Sequence, residues 1–216
     1  RLALSAGVFL PFVRRVPWKI GLGLFATGAV QFGLMYLAYL TSFRFLKSHE
    51  VALFTVTTPI LVALLSDLGA RRWRPCNFLA ASLAVGGAAI LQWVELESTA
   101  PLIGFLLMQA SNLCFAAGQL AYRVLMARLV PAMPDHRIFF WMHLGGFAVL
   151  TPMILTDRLG QELPVPTPMQ WAILAYLGVM ASGICFFLWN RGARFVSAGQ
   201  LAVMNNLKIP LGVAVS

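Results

Sequence analysis

The chain runs to 216 residues, of which 60% are hydrophobic and 11% charged, with a mean hydropathy of +0.81. A soluble domain of that balance would expose wide apolar patches, so the composition excludes one and selects a polytopic membrane protein. The net charge of +9 does not signal nucleic acid, because the basic residues sit in short clusters between apolar runs, as membrane topology requires.

A membrane span needs about 20 apolar residues to cross roughly 30 Å of hydrocarbon. The opening stretch, 1–13, reads as the second half of such a span with no cleavable leader, so the sequence is expected to begin inside a helix. The first full span covers 18–42 and contains Tyr36, which, like Trp141, His143 and Trp189 further on, either lines the pore or packs against lipid. The next, 49–68, opens on SHEVALFTVTTP. Glu50 falls in its first turn, where a carboxylate suits the helix dipole; proton coupling or gating is the other reading. Thr55, Thr57 and Thr58 are expected to hydrogen-bond locally at a Pro59 kink. Span 76–94 carries ASLAVGGAA, whose small residues suit close helix contact in the bundle or at a homodimer face.

Span 101–123 carries a polar stripe. Gln109, Asn112, Ala116, Gln119 and Arg123 recur at spacings of three and four and so share one helix face. They either line a cavity or glue helices together beside Ser111 and Gly118, with Arg123 as a cytoplasmic anchor. Span 138–156 brings Trp141, a further pore-lining candidate, and His143, which in an apolar run reads as structural. The span 168–190 contains Trp189. A last partial span, 195–216, begins with the S-x-x-Q capping signature of Ser197 and Gln200. Counting from there puts Asn205, Asn206 and Lys208 about 12–17 Å into the helix, near mid-bilayer. A lysine at that depth costs about 2.5–3.5 kcal/mol unless it meets water, a counter-charge or a ligand. Lys208 and the two asparagines therefore read as a substrate site, in which the ammonium pairs with a carboxylate. The alternative is a snorkelling lysine beside asparagines that bridge helices.

Loops 13–19, 69–75, 123–137 and 191–194 hold eleven basic residues and the opposite loops three, which assigns the first set to the cytoplasm. Sliding the chain by 150 residues lays 28–53 onto 178–203. Gly28 falls on Gly178, Gly33 on Gly183, Arg44 on Arg194 and Glu50 on Gln200; Pro59 and Pro210 miss by one. The matched loops lie on opposite sides, which demands an odd number of spans per repeat and an inverted topology. The expected fold is thus an all-α polytopic membrane protein, a ten-helix transporter of two inverted five-helix repeats with about eight helices present here. Residues 1–94 would be the first repeat and 101–216 the second, each truncated, with both termini of the intact protein cytoplasmic. Inverted repeats serve secondary transport, since near-equivalent halves can exchange inward- and outward-facing arrangements.

No nucleophile elbow, zinc-binding HExxH or phosphate loop occurs, so neither an enzyme nor a cofactor is expected. His136 and His143, seven apart without a carboxylate pattern, do not suggest a metal site. Cys76, Cys114 and Cys185 read as small packing residues.

Over essentially its whole length the chain resembles the drug/metabolite transporter superfamily in its EamA-type ten-helix form. SHEVALFTVTTPI, SNLCFAAGQLAYRVLM, GVMASGICFFLWNRGA and AGQLAVMNNLKIPLG look like bacterial biotin-uptake proteins of the YigM type. Many EamA proteins carry a Gly-Glu pair where this chain has GARRW, so the role of that glutamate does not transfer. The resemblance implies a multi-pass protein of the cell inner membrane whose partners are the lipid bilayer and a small-molecule substrate, biotin. Biotin's carboxylate and ureido ring would suit Lys208, Asn205 and Asn206. The competing expectation is an exporter of amino acids or related metabolites, as many EamA proteins are.

Overall fold

A computed structural model describes residues 1–91, 102–128, 133–158, 166–207 and 211. Among them every regular element is helical. The helices are α1 (Leu2–Phe12), α2 (Trp18–Ser42), α3 (Ser48–Ala70), α4 (Pro75–Leu91), α5 (Leu102–Arg128), α6 (Phe139–Arg158), α7 (Pro168–Ala193) and α8 (Ala198–Asn206). Of these, α2, α3, α5 and α7 are long and apolar enough to cross a membrane. The chain is an all-α polytopic membrane protein, as its hydropathy requires.

Local chemistry sets the ends and breaks of these helices. Prolines stand where an N–H would have no intrahelical partner: Pro17 caps α2, and Pro168 opens α7 behind Thr167. Ser197 and Gln200 form the expected capping box at the head of α8, with Gln200 N–H donating to Ser197 Oγ at 3.2 Å and Ser197 N–H to Gln200 Oε1 at 2.9 Å. Both α2 and α7 contain a π-helical stretch, at 29–34 and 177–185 respectively. After α3, Arg71 takes a left-handed conformation (φ 49°) that turns the chain toward α4. Asp67 holds that turn by accepting Arg74 N–H at 2.8 Å.

The chain divides into two compact units, residues 1–34 with 121–194 and residues 35–120 with 195–216. In the first, α2 and α6 approach until their backbones nearly touch. A Cβ on Gly28 would lie 1.9 Å from the Met142 carbonyl oxygen, and one on Gly145 would lie 2.0 Å from that of Phe25. Gly145 and Gly146 of α6 thus form a packing surface. Its neighbour is an aromatic core: His143 lies nearly parallel to Phe9 and Phe32, at centroid distances of 5.6 and 5.0 Å, with Phe139 edge-on. His143 Nε2 lies 3.0 Å from the Ser182 carbonyl, a structural role as the sequence suggested. Gln31 and Asn190, both fully buried, join α2 to α7 by an amide hydrogen bond of 3.0 Å. Asp135 pairs with Arg194 and accepts Tyr122 Oη–H at 2.8 Å.

The second unit is built from the end of α2, all of α3 and α4, most of α5, and α8. Leu46, Val51 and Met108 form one apolar cluster against Tyr39 and Phe54. Gly199 lets α8 sit close to α4, since a Cβ there would lie 2.9 Å from Asn77 Oδ1. Gly86 and Gly87, in the other small-residue run, face open space. Cys76 and Cys185 are exposed on helix surfaces and Cys114 is half-buried, so the first two are not the interior packing residues expected.

Candidate functional site

The second unit gathers its polar side chains at a break in α3. Pro59 has no N–H to give to the Thr55 carbonyl, and residues 55–57 tighten into a 3₁₀ turn. The Thr55 carbonyl instead accepts the Thr58 N–H, and Thr58 Oγ1 adds a second donor at 2.7 Å. Thr57 Oγ1 reaches the Phe54 carbonyl at 3.0 Å, and Thr55 Oγ1 the Ala52 carbonyl at 2.7 Å. The local threonine bonding expected from TVTTP is present, and the break opens further carbonyls to side chains of other helices.

The stripe on α5 faces that break. Asn112 Nδ2 donates to the Phe54 carbonyl at 2.8 Å and to Thr57 Oγ1 at 3.2 Å. Gln109 Oε1 accepts from Thr57 Oγ1 at 2.9 Å. Two turns further, Gln119 Nε2 approaches Asn205 Oδ1 of α8 at 3.4 Å, while Asn205 Nδ2 returns to the Leu201 carbonyl at 2.9 Å. Asn206 points elsewhere, as the 100° step between helix neighbours demands. Its Nδ2 donates to the Val56 carbonyl at 3.0 Å and to the Ala84 carbonyl at 3.3 Å, stitching α8 to α3 and α4.

Three buried amide atoms of this cluster have no hydrogen-bond partner among the described residues: Gln109 Nε2, Gln119 Oε1 and Asn206 Oδ1. A buried polar group left without a partner costs about 1–3 kcal/mol. Gln109 Nε2 is the one beside the break in α3, and Gln119 Oε1 stands ten residues, about 15 Å, further along α5.

The remaining predicted residues fall as follows. Tyr36 is buried in the second unit, immediately after Met35, whose carbonyl accepts Ser111 Oγ–H at 3.1 Å. Glu50 accepts Lys47 N–H at 2.8 Å and so caps α3. Trp141 belongs to the first unit and is not among the residues that the second unit gathers. Lys208 lies outside the described residues. Sequence reasoning passed over Thr57 as a partner of both Gln109 and Asn112, and over the Gln31–Asn190 pair. For the pair the signal existed: each is a lone polar residue inside an apolar span. Among the described residues no group of His, Cys, Asp and Glu could hold a metal ion.

The model of the EamA-like transporter family matches residues 102–215. The biotin transporter of Escherichia coli strain K12 is 40% identical over 220 residues, taking in 100% of this chain and 72% of that protein. The probable biotin transporter of Pseudomonas aeruginosa is also 40% identical, over 99% of this chain and 74% of its own length. A crystal structure of a protein 20% identical in sequence superposes with a TM-score of 0.77, covering 99% of this chain and 74% of that one, which shows a shared fold.

Proposed function

The chain belongs to the EamA-like transporter family, and from that premise we propose that it imports biotin across the cytoplasmic membrane by alternating access. The observation that carries this reading is the unsatisfied Gln109 amide beside the broken turn of α3. A ureido ring offers one carbonyl acceptor and two N–H donors. Gln109 Nε2, beside the broken turn, is a donor that matches the carbonyl. Lys208, three residues beyond Asn205 in the sequence, is the cation for the carboxylate at the other end of the ligand. Two relatives at 40% identity named for biotin favour the same substrate.

Alternating access follows from the inverted repeat, and paired features 150 residues apart support it. The π stretches of α2 and α7 overlap at that offset. The Lys47–Glu50 cap of α3 and the Ser197–Gln200 cap of α8 correspond residue for residue, with bonds of 2.8 and 2.9 Å. The halves are 1–94 and 101–216 of a ten-helix protein whose termini both face the cytoplasm, as the basic loops require.

Radiolabelled biotin uptake tests the reading, in a biotin-auxotrophic bacterium that lacks its own transporter and expresses the full-length protein. Saturable accumulation is the expected result. Absence of uptake together with faster efflux of preloaded amino acids would assign the exporter role instead.

A further inference from the structure

The first unit contains an apolar cavity of about 270 Å³ between the opening turns of α2 and α6. Val16, Trp18, Leu22, Phe25, Leu144 and Trp141 line it. The loops that lead into the two helices are tied together, Arg14 N–H donating to the Arg137 carbonyl at 3.3 Å. Both helix N-termini, each the positive end of a dipole, therefore lie at the mouth. Arg14, Arg15 and Lys19, flanking the lining residues Val16 and Trp18, are exposed. Trp18 is itself 77% exposed and Leu22 50%, so the outer wall opens toward the surroundings of the protein. Trp141 contributes a further signal: its indole Nε1 is buried without a hydrogen-bond acceptor among the described residues.

Water gains little in this space, because its apolar walls offer too few hydrogen-bond partners. A free anion would suit the three cations and leave the cavity unfilled. A single hydrocarbon chain would fill the cavity and leave the cations and the indole N–H unmatched. We propose that the cavity is a phospholipid site selective for an anionic headgroup. One acyl chain occupies the space between α2 and α6, an ester carbonyl accepts the Trp141 Nε1–H, and the phosphate lies against Arg14, Arg15 and Lys19. The site is separate from the amide cluster and does not depend on the identity of the transported substrate.

Native mass spectrometry of the full-length protein, loaded with equimolar phosphatidylglycerol and phosphatidylcholine, tests the proposal. Wild-type protein is expected to retain phosphatidylglycerol in preference. Replacing Arg14, Arg15 and Lys19 together by Gln should reduce that preference roughly 10- to 100-fold, since each surface cation is worth about a fivefold factor toward an anionic headgroup. Trp141→Phe, which keeps the ring and removes the donor, should weaken retention of ester-linked phosphatidylglycerol about 2- to 10-fold and leave an ether-linked analogue unaffected. Gly21→Leu places a side chain in the cavity, which Gly21 also lines, and should remove the adduct whatever its headgroup. The proposal is overturned if wild-type protein holds both lipids equally, or if Gly21→Leu carries the same adduct as wild type. Thermal unfolding, measured alongside, keeps a misfolded variant from passing as a lipid-free one.

Discussion

Gln109→Met separates a binding residue from a packing residue at the amide cluster. The substitution keeps side-chain length and volume and removes two polar atoms in different circumstances. Oε1 accepts from Thr57 Oγ1 at 2.9 Å, and that hydroxyl retains the Phe54 carbonyl at 3.0 Å as an alternative acceptor. Losing this bond costs about 0.5–1.5 kcal/mol. Nε2 is buried with no partner, and deleting it returns about 1–3 kcal/mol of unsatisfied desolvation. The two effects nearly cancel, so the folded state should be unchanged or slightly more stable. Binding should suffer, because the ureido carbonyl of the ligand loses its donor. A loss of about 1–3 kcal/mol corresponds to a roughly 5- to 150-fold rise in Kd or KM at 1.4 kcal/mol per tenfold. Concentration-dependent biotin uptake gives KM, and thermal unfolding of the purified protein gives stability. A KM within twofold of wild type would refute the assignment of Nε2 to the ligand. A large fall in Tm with KM unchanged would make Gln109 a structural residue.

Further outcomes follow from the same geometry. Asn206→Leu removes the two bonds from α8 to the Val56 and Ala84 carbonyls, at a cost of about 1–3 kcal/mol, and deletes the unpartnered Oδ1, which returns a similar amount, so Tm should change little. Gly28→Ala should prevent accumulation of folded protein, because its Cβ has no room beside Met142. Gly7→Ala, with open space around it, should be neutral or slightly stabilising, and detergent-soluble yield distinguishes the two. Asp135→Ala removes the carboxylate that pairs with Arg194 and accepts the Tyr122 hydroxyl. It should cost about 1–3 kcal/mol, because the Arg194 side chain is 25% exposed and its charge partly solvated, and Asp135→Asn, which keeps an acceptor for Tyr122, should cost less.

The parts of this architecture set by short-range chemistry were legible in the residues. Apolar runs marked the spans, Ser197 and Gln200 marked the start of α8, and TVTTP marked the break in α3. The three- and four-residue spacing on α5 placed Gln109, Asn112 and Gln119 on one face, and the structure gives each of them a partner from another helix of the same unit. What the pattern could not supply was the partner. The acceptors for Asn112 and Asn206 are backbone carbonyls of residues 54, 56 and 84, and a side-chain pattern is blind to them. Depth along a span likewise does not say which helices meet. Small residues alone were ambiguous too: Gly145 lies against backbone, whereas Gly86 and Gly87 meet nothing.

Equilibrium binding of tritiated biotin to the purified full-length protein, with two competitors, is the most direct test of the amide cluster as the substrate site. The account predicts saturable binding that is displaced by dethiobiotin, which keeps the ureido ring and the carboxylate, and resists valerate, which keeps the carboxylate alone. Displacement by valerate as effective as by dethiobiotin, or no saturable binding, would contradict it.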